Sequence, residues 1–206
     1  MSADPAAPGR HHPDSLPRLV RAGVRVDLRE HQGANREAFI RWYGDAEIAE
    51  MLRHDLMPLS PARARNYFDS IILPQSARGT CWAIHERATG RLIGMTAVTD
   101  LRPSDRSCLF RIVIGEKDTW GLGYGTEATA LVGDVVYEDL GLDRIRLEVF
   151  QHNERARRAY RRVGFRETGQ HSEWVGPAQR RLDVIEMALD LTTPTPHAQE
   201  HDETRH

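Results

Sequence analysis

Three glycines, Gly121, Gly123 and Gly125, stand between an apolar run from Leu109 to Ile114 and a segment of helical apolar spacing. That segment places Ala128, Leu131, Val132, Val135 and Val136 on one side. Strand, glycine turn and helix in this order restrict the local fold severely. Glycines let main-chain N–H groups come close to a ligand, and a helix start adds unpaired donors and a partial positive charge. The turn therefore reads as a cradle for an anion, with phosphate the natural occupant.

One domain is expected around this turn. A chain of 206 residues can bury one proper core but not two comfortable ones. Its 40% apolar and 28% charged residues are ordinary for a globular protein, so residues 23–191 are read as the folded domain. Residues 1–22, rich in Ala, Pro, Arg and His, are expected to be a disordered arm, and residues 192–206 a loose polar tail. A formal net charge of −2 argues against bulk affinity for nucleic acid or an anionic membrane. No run approaches the ~20 apolar residues of a membrane span, and nothing near the N-terminus reads as a signal peptide. Cys81 and Cys108 form neither a disulfide framework nor a metal spacing, which suits a reducing cytoplasm. The His11-His12 pair lacks a third ligand at useful spacing, so no metal is expected.

Along the chain, Val24, Val26 and Leu28 alternate with charged residues, the period of a half-buried strand. Asn35 is placed to cap a helix carrying Phe39, Ile40, Trp42 and Tyr43, and Ser60-Pro61 starts a second helical stretch with Ala64, Tyr67, Phe68 and Ile71. These helices cover one sheet face and are free to shape a pocket. Cys81–His85 and Arg91–Thr99 form a hairpin, and a turn at Pro103-Ser104-Asp105 leads to a strand from Cys108 to Ile114. After the glycine helix, Arg144 to Phe150 is a strand with Ile145, Leu147 and Val149 on one side and Arg144, Arg146 and Glu148 on the other. Asn153 opens the next helix, with Ala156, Ala159, Tyr160 and Val163 on its apolar face and Gly164 at its end. The predicted order is β-α-α-β-β-β-α-β-α-β-β, a mixed, mainly antiparallel α+β domain.

Two motifs in this order carry a family resemblance. Trp120-Gly-Leu-Gly-Tyr-Gly125 followed by Thr-Glu-Ala resembles the acetyl-CoA pyrophosphate loop of the GNAT superfamily of acyl-CoA N-acyltransferases. Leu147-Glu-Val-Phe-Gln-His-Asn153, then Ala156, Tyr160 and Gly164-Phe165, is similar to that superfamily's second motif. The wording of the loop resembles the RimJ/RimL branch, which includes ribosomal-protein N-terminal acetyltransferases. The resemblance implies a GNAT-like fold and transfer of acetyl from acetyl-CoA to a primary amine, on a protein or peptide N-terminus or a small molecule. A homodimer is compatible with it. It also implies that main-chain donors from Leu122 to Thr126, with Gly123, Tyr124 and Gly125 between them, hold the pyrophosphate, while Ile112, Val113 and Ile114 pair with the pantetheine amides. Trp120 replaces the Gln or Arg that often opens the loop, which removes one side-chain contact to phosphate.

The implied chemistry is attack by a neutral amine on the thioester carbonyl, which requires a deprotonated amine, a polarised carbonyl and a proton for the departing thiolate. Glu148 matches the family's carboxylate base, although a strand residue paired with Arg144 or Arg146 has the same pattern. Tyr160 matches the proton donor to the thiolate, although core packing places a tyrosine there equally well. Asn153 matches the pantetheine-contacting asparagine and is also a helix cap. The arginines from Arg155 to Arg162 read as a solvated face, with one or two able to reach nucleotide phosphates. The acceptor pocket is expected from Trp42, Tyr43, Phe68, Asp100 and the loop Trp174–Pro177. A dinucleotide fingerprint fails because its sixth place is Thr126, not glycine. A non-catalytic acyl-CoA sensor is the alternative from another class; the presence of both Glu148 and Tyr160 speaks against it.

Overall fold

Alternation along the strands sets the two faces of one sheet. In β6 (Arg144–Phe150), Ile145, Leu147 and Val149 are buried, while Arg144, Arg146 and Glu148 point the other way. Each buried aliphatic contributes about 1.5–3 kcal/mol. A one-residue slip would expose all three and bury three charged groups, so the register, and with it the face of Glu148, is fixed.

The structure, a computed structural model, describes residues 16–52 and 56–192. Among these, eight strands form one sheet: β1 (Leu19–Ala22), β2 (Val26–Arg29), β3 (Cys81–Glu86), β4 (Leu92–Arg102), β5 (Ser107–Ile114), β6, then β8 (Arg180–Asp190) and, at the edge, β7 (Arg166–Val175). Every neighbouring pair is antiparallel except β5 with β6. That parallel pair is joined only through Ser107 with Arg144, Cys108 with Ile145 and Leu109 with Arg146. Beyond Leu109 and Arg146 the two strands part, leaving a wedge in the middle of the sheet.

Helices close both faces. On one side lie α5 (Tyr124–Glu138) and α6 (Glu154–Val163); Val132, Val136, Tyr160 and Val163 pack with Trp82, Ile84, Phe110 and Leu147. On the other lie α1 (Arg36–Tyr43), α2 (Ala46–Met51), α3 (Pro61–Tyr67), a π-helical turn (Phe68–Ile72) and α4 (Leu73–Ala77). Phe39, Trp42, Phe68 and Ile72 there pack on Cys81, Met95, Ala97 and Val113. Pro74 has no N–H to offer the preceding turn, and the helix widens into the π turn just before it. Ser60, Asp45 and Asn153 each accept a backbone N–H at a helix start, as their types favour.

The mixed, mainly antiparallel α+β architecture agrees with expectation. Three local readings do not. Leu19–Ala22 is a strand paired with β2, so the expected boundary at residue 23 falls inside the sheet; residues 1–15 of the expected arm lie outside the described residues. Arg21, inside the expected arm, is tied to Glu138 and Asp139 at the end of α5. Asn35 does not cap α1 with its side chain; its Oδ1 accepts from the Gln32 N–H at 2.7 Å, closing the 3-10 turn before it. Of the expected tail, only Thr192 is described.

Candidate active site

The glycine turn is held open from behind. Gly121 and Gly123 adopt φ of +79° and +87°, where a side chain is strained, and Gly123 ends the turn without a side-chain cap on α5. The first N–H groups of a 15-residue helix are thereby left facing outward as donors. Arg25 braces the turn, donating from Nη1 to the Leu122 carbonyl at 2.6 Å and from Nε to Glu127 at 3.0 Å. The second oxygen of Glu127 accepts from the Arg25 backbone N–H at 2.7 Å. Glu127, in the first turn of α5, thus ties the loop to the start of β2. Tyr124 donates to Glu86 at 2.6 Å, so its hydroxyl is turned away from the cradle.

The wedge between β5 and β6 opens into a cleft of about 510 Å3, and the glycine turn forms one of its walls. Ile112, Val113 and Ile114 line it along the edge of β5 that β6 has left, as do Trp120, Gly121, Gly123, Tyr124, Gly125 and Thr126. Leu122 is exposed at the outside of the turn. Trp120 does more than lose a phosphate contact: its indole N–H donates to the Ile114 carbonyl at 2.7 Å, and the Arg155 guanidinium lies 3.6 Å from its ring centroid. These contacts fasten the turn to β5 and the start of α6.

Glu148, Tyr160 and Asn153 all line the same cleft. Tyr160 packs edge-on to Phe110 with ring centroids 6.2 Å apart, and its hydroxyl has no hydrogen-bond partner among the described residues. Burial pushes its pKa up, so the phenol stays protonated at neutral pH. Asn153 is buried and spends its Oδ1 on the Ala156 N–H at 3.2 Å, which fixes the start of α6. Glu148 stands opposite Glu186 on β8, and ligand atoms of Glu148, His171 and Glu186 lie within 4.8 Å of one another. His171 Nδ1 is 2.9 Å from Glu186 Oε1, so the group is internally hydrogen-bonded and half-exposed. Arg146 is occupied elsewhere, by Ser107 and by Asp100 at 2.9 Å.

The expected acceptor pocket needs correction. Only Tyr43 of that set lines the cleft. Trp42 is buried against Gly115, where a Cβ would stand 2.1 Å from the indole, and its Nε1 donates to Glu116. Phe68 is wholly buried, Asp100 pairs with Arg102 and Arg146, and Trp174 is exposed outside the cleft. Tyr67, Gln75, Thr99 and Arg111 line it instead. The arginine run of α6 divides in two. Arg157 and Arg161 pair with Glu167, whereas Arg155, Arg158 and Arg162 line the cleft. The helical period separates these sets, so part of the run is a solvated face and three arginines, rather than one or two near the helix start, line the cleft.

A model of the acetyltransferase (GNAT) domain matches residues 25–166. The chain belongs to the GNAT family. A relative, an uncharacterized N-acetyltransferase called YoaA from Bacillus subtilis (strain 168), is 33% identical over 148 residues, 70% of this chain and 81% of that protein. Among solved structures, a GNAT acetyltransferase from Bacillus anthracis superposes with a TM-score of 0.72 at 14% identity, over 85% of this chain and 99% of that one. A spermidine N-acetyltransferase from Vibrio cholerae, in complex with CoA and spermine, gives 0.70 at 19% identity over 82% and 96%. Mycobacterium smegmatis RimJ, in complex with CoA-disulfide, gives 0.68 at 20% identity over 84% and 83%. At these identities the structures speak for the fold. The protein is an acyl-CoA acetyltransferase, with acetyl-CoA as its acyl donor. Its uncapped helix start, open β5 edge and cleft-lining arginines suit that donor's phosphates and amides. Among the described residues no helix is long and apolar enough to cross a membrane.

Proposed function

We propose that the protein acetylates a primary amine by direct attack, with Glu148 as general base and Tyr160 as general acid. The observation that carries this reading is that Glu148 and Tyr160 reach one cleft from opposite faces of the sheet where β5 and β6 part. The amine nitrogen attacks the thioester carbonyl carbon, and the C–S bond breaks. Glu148, directly or through water, takes the proton that the amine sheds. His171 and Glu186 beside it offer that proton a way out. Tyr160, kept protonated by burial, gives its proton to the departing thiolate. Backbone donors of Leu122 to Thr126 hold the pyrophosphate, with Arg155, Arg158 or Arg162 close to the nucleotide phosphates. Ile112 and Val113 offer main-chain groups to the pantetheine arm; the Ile114 carbonyl already accepts from Trp120 and retains one lone pair.

The loop wording and the likeness to Mycobacterium smegmatis RimJ support membership of the RimJ/RimL branch, whose acceptors include protein N-termini. Two free, buried cysteines suit a reducing cytoplasm. Calorimetry with CoA tests the donor site: absence of binding at tens of micromolar would sink the reading. The Glu148 role is tested by the pH–rate profile of acetyl transfer. Glu148→Gln is expected to flatten its alkaline-rising limb, and an unaltered limb would assign the base elsewhere.

A further inference from the structure

Leu109 and Arg146 are the last paired residues of β5 and β6, and two residues further along each strand come Arg111 and Glu148. Residues two apart on a strand share a face, so this guanidinium and this carboxylate flank the mouth of the wedge on the side covered by α1 to α4. Both line the cleft, and Glu148 is the one carboxylate among its described lining residues. The cleft-lining arginines of α6 approach from the other side, so among the described lining residues Arg111 is the cation of this half.

Arg111 has no hydrogen bond or ion pair from its guanidinium to any described residue. Arg146, its neighbour on the same face, is fully engaged by Ser107 and Asp100. Tyr67 and Gln75 also line the cleft, and neither the hydroxyl nor the side-chain amide has a hydrogen-bond partner among the described residues. Burial raises the pKa of both Tyr43 and Tyr67, and the Arg111 charge opposes it in each. Several donors therefore line this side of the cleft without an acceptor among the described residues, on the same side as the carboxylate proposed to receive the amine.

We infer that the acceptor is a small zwitterionic amine, with its primary amine toward Glu148 and a carboxylate held by Arg111, Tyr67 and Gln75. A planar guanidinium is the side chain best suited to two parallel bonds with a carboxylate. The same charge disfavours a polyamine, whose second ammonium would face Arg111. This inference rests on the acetyl-transfer reading for the position of the amine, but the carboxylate site makes its own prediction.

The test is steady-state acetyl transfer to a panel of amino acids, each beside its carboxamide and its decarboxylated amine. The carboxylate forms are expected to lead in kcat/KM by about 10- to 100-fold, the worth of a charge-assisted pair. Arg111→Gln should erase that lead, chiefly through KM, and Arg111→Lys should restore part of it; CoA calorimetry on both variants confirms that the donor site is intact. Equal or faster transfer to the carboxamides or to spermidine would overturn the inference while leaving acetyl transfer standing. Amino-acid binding to the CoA complex that is lost in Arg111→Gln, with no transfer to any amine, would instead sink the reaction and keep the carboxylate site.

Discussion

Tyr160 illustrates how one side chain serves packing and chemistry together. Its ring packs against Phe110 and Phe165, the residue lines the cleft, and its hydroxyl has no hydrogen-bond partner among the described residues. Deleting that oxygen leaves the packing almost intact. Tyr160→Phe is therefore expected to lower kcat by about 10²-fold, the ordinary scale of general-acid catalysis, with CoA affinity largely retained. Turnover and calorimetry on the same preparation check this, and an unchanged kcat under chemistry-limited conditions would remove Tyr160 from the mechanism. Glu148 differs in kind: its face is set by three buried neighbours on β6, so its position is a by-product of core formation.

The glycine turn and α5 act as a unit. Arg25 reaches Leu122 and Glu127, so the cradle is tied to β2 at the far side of the sheet from the reacting groups. At Gly123 an added Cβ meets the left-handed conformation and the Arg25 Nη2 at 2.8 Å, whereas at Gly121 it meets the conformation alone. The left-handed strain is about 1–2 kcal/mol per residue, and the guanidinium end can shift without moving the backbone. Both Gly121→Ala and Gly123→Ala should fold, with Gly123→Ala weakening CoA binding more because it also displaces the brace. Calorimetry and urea unfolding on the pair separate the two costs; equal loss of CoA affinity would mean that Arg25 has no part in holding the loop.

The packing of α1–α4 on the sheet also encloses charge chemistry far from the cleft. Asp27, His31 and His85 are buried there, and neither ring nitrogen of His31 has a hydrogen-bond partner among the described residues. Burial, reinforced by the nearby His85, lowers the His31 pKa from the ordinary 6.5 to about 4, and burial lowers that of His85 as well. A depressed folded-state pKa means that the unfolded chain binds the proton first. Stability present above pH 6.5 is therefore lost as the pH falls toward 4, on the order of 3 kcal/mol for His31. Urea midpoints at pH 7 and pH 4.5 should differ less in His31→Leu than in the parent protein. An equal drop in both would place the acid sensitivity in other groups.

Much of this was written locally. The glycine turn, the caps at Ser60 and Asn153, the period-two pattern of β6 and the order of strand and helix are properties of adjacent residues. They determined the α+β class, the donor and the placing of Glu148 and Tyr160 on the cleft. The acceptor half was not legible in that way. Arg111 sits inside an apolar run and gains meaning only because β6 leaves β5 two residues earlier. Trp42, an obvious pocket candidate, is withdrawn by its contact with Gly115, and Tyr67 and Gln75 enter through the angle at which the helices lie on the sheet. Leu19–Ala22 becomes a strand through its pairing with β2 and the contact of Arg21 with α5. The sequence by itself determined which face of each element is apolar and where the chain makes the glycine turn that opens α5. Only the tertiary structure decided which charged residues line the cleft, because that depends on partners dozens of residues away, whose meeting is set by packing and not by any local pattern.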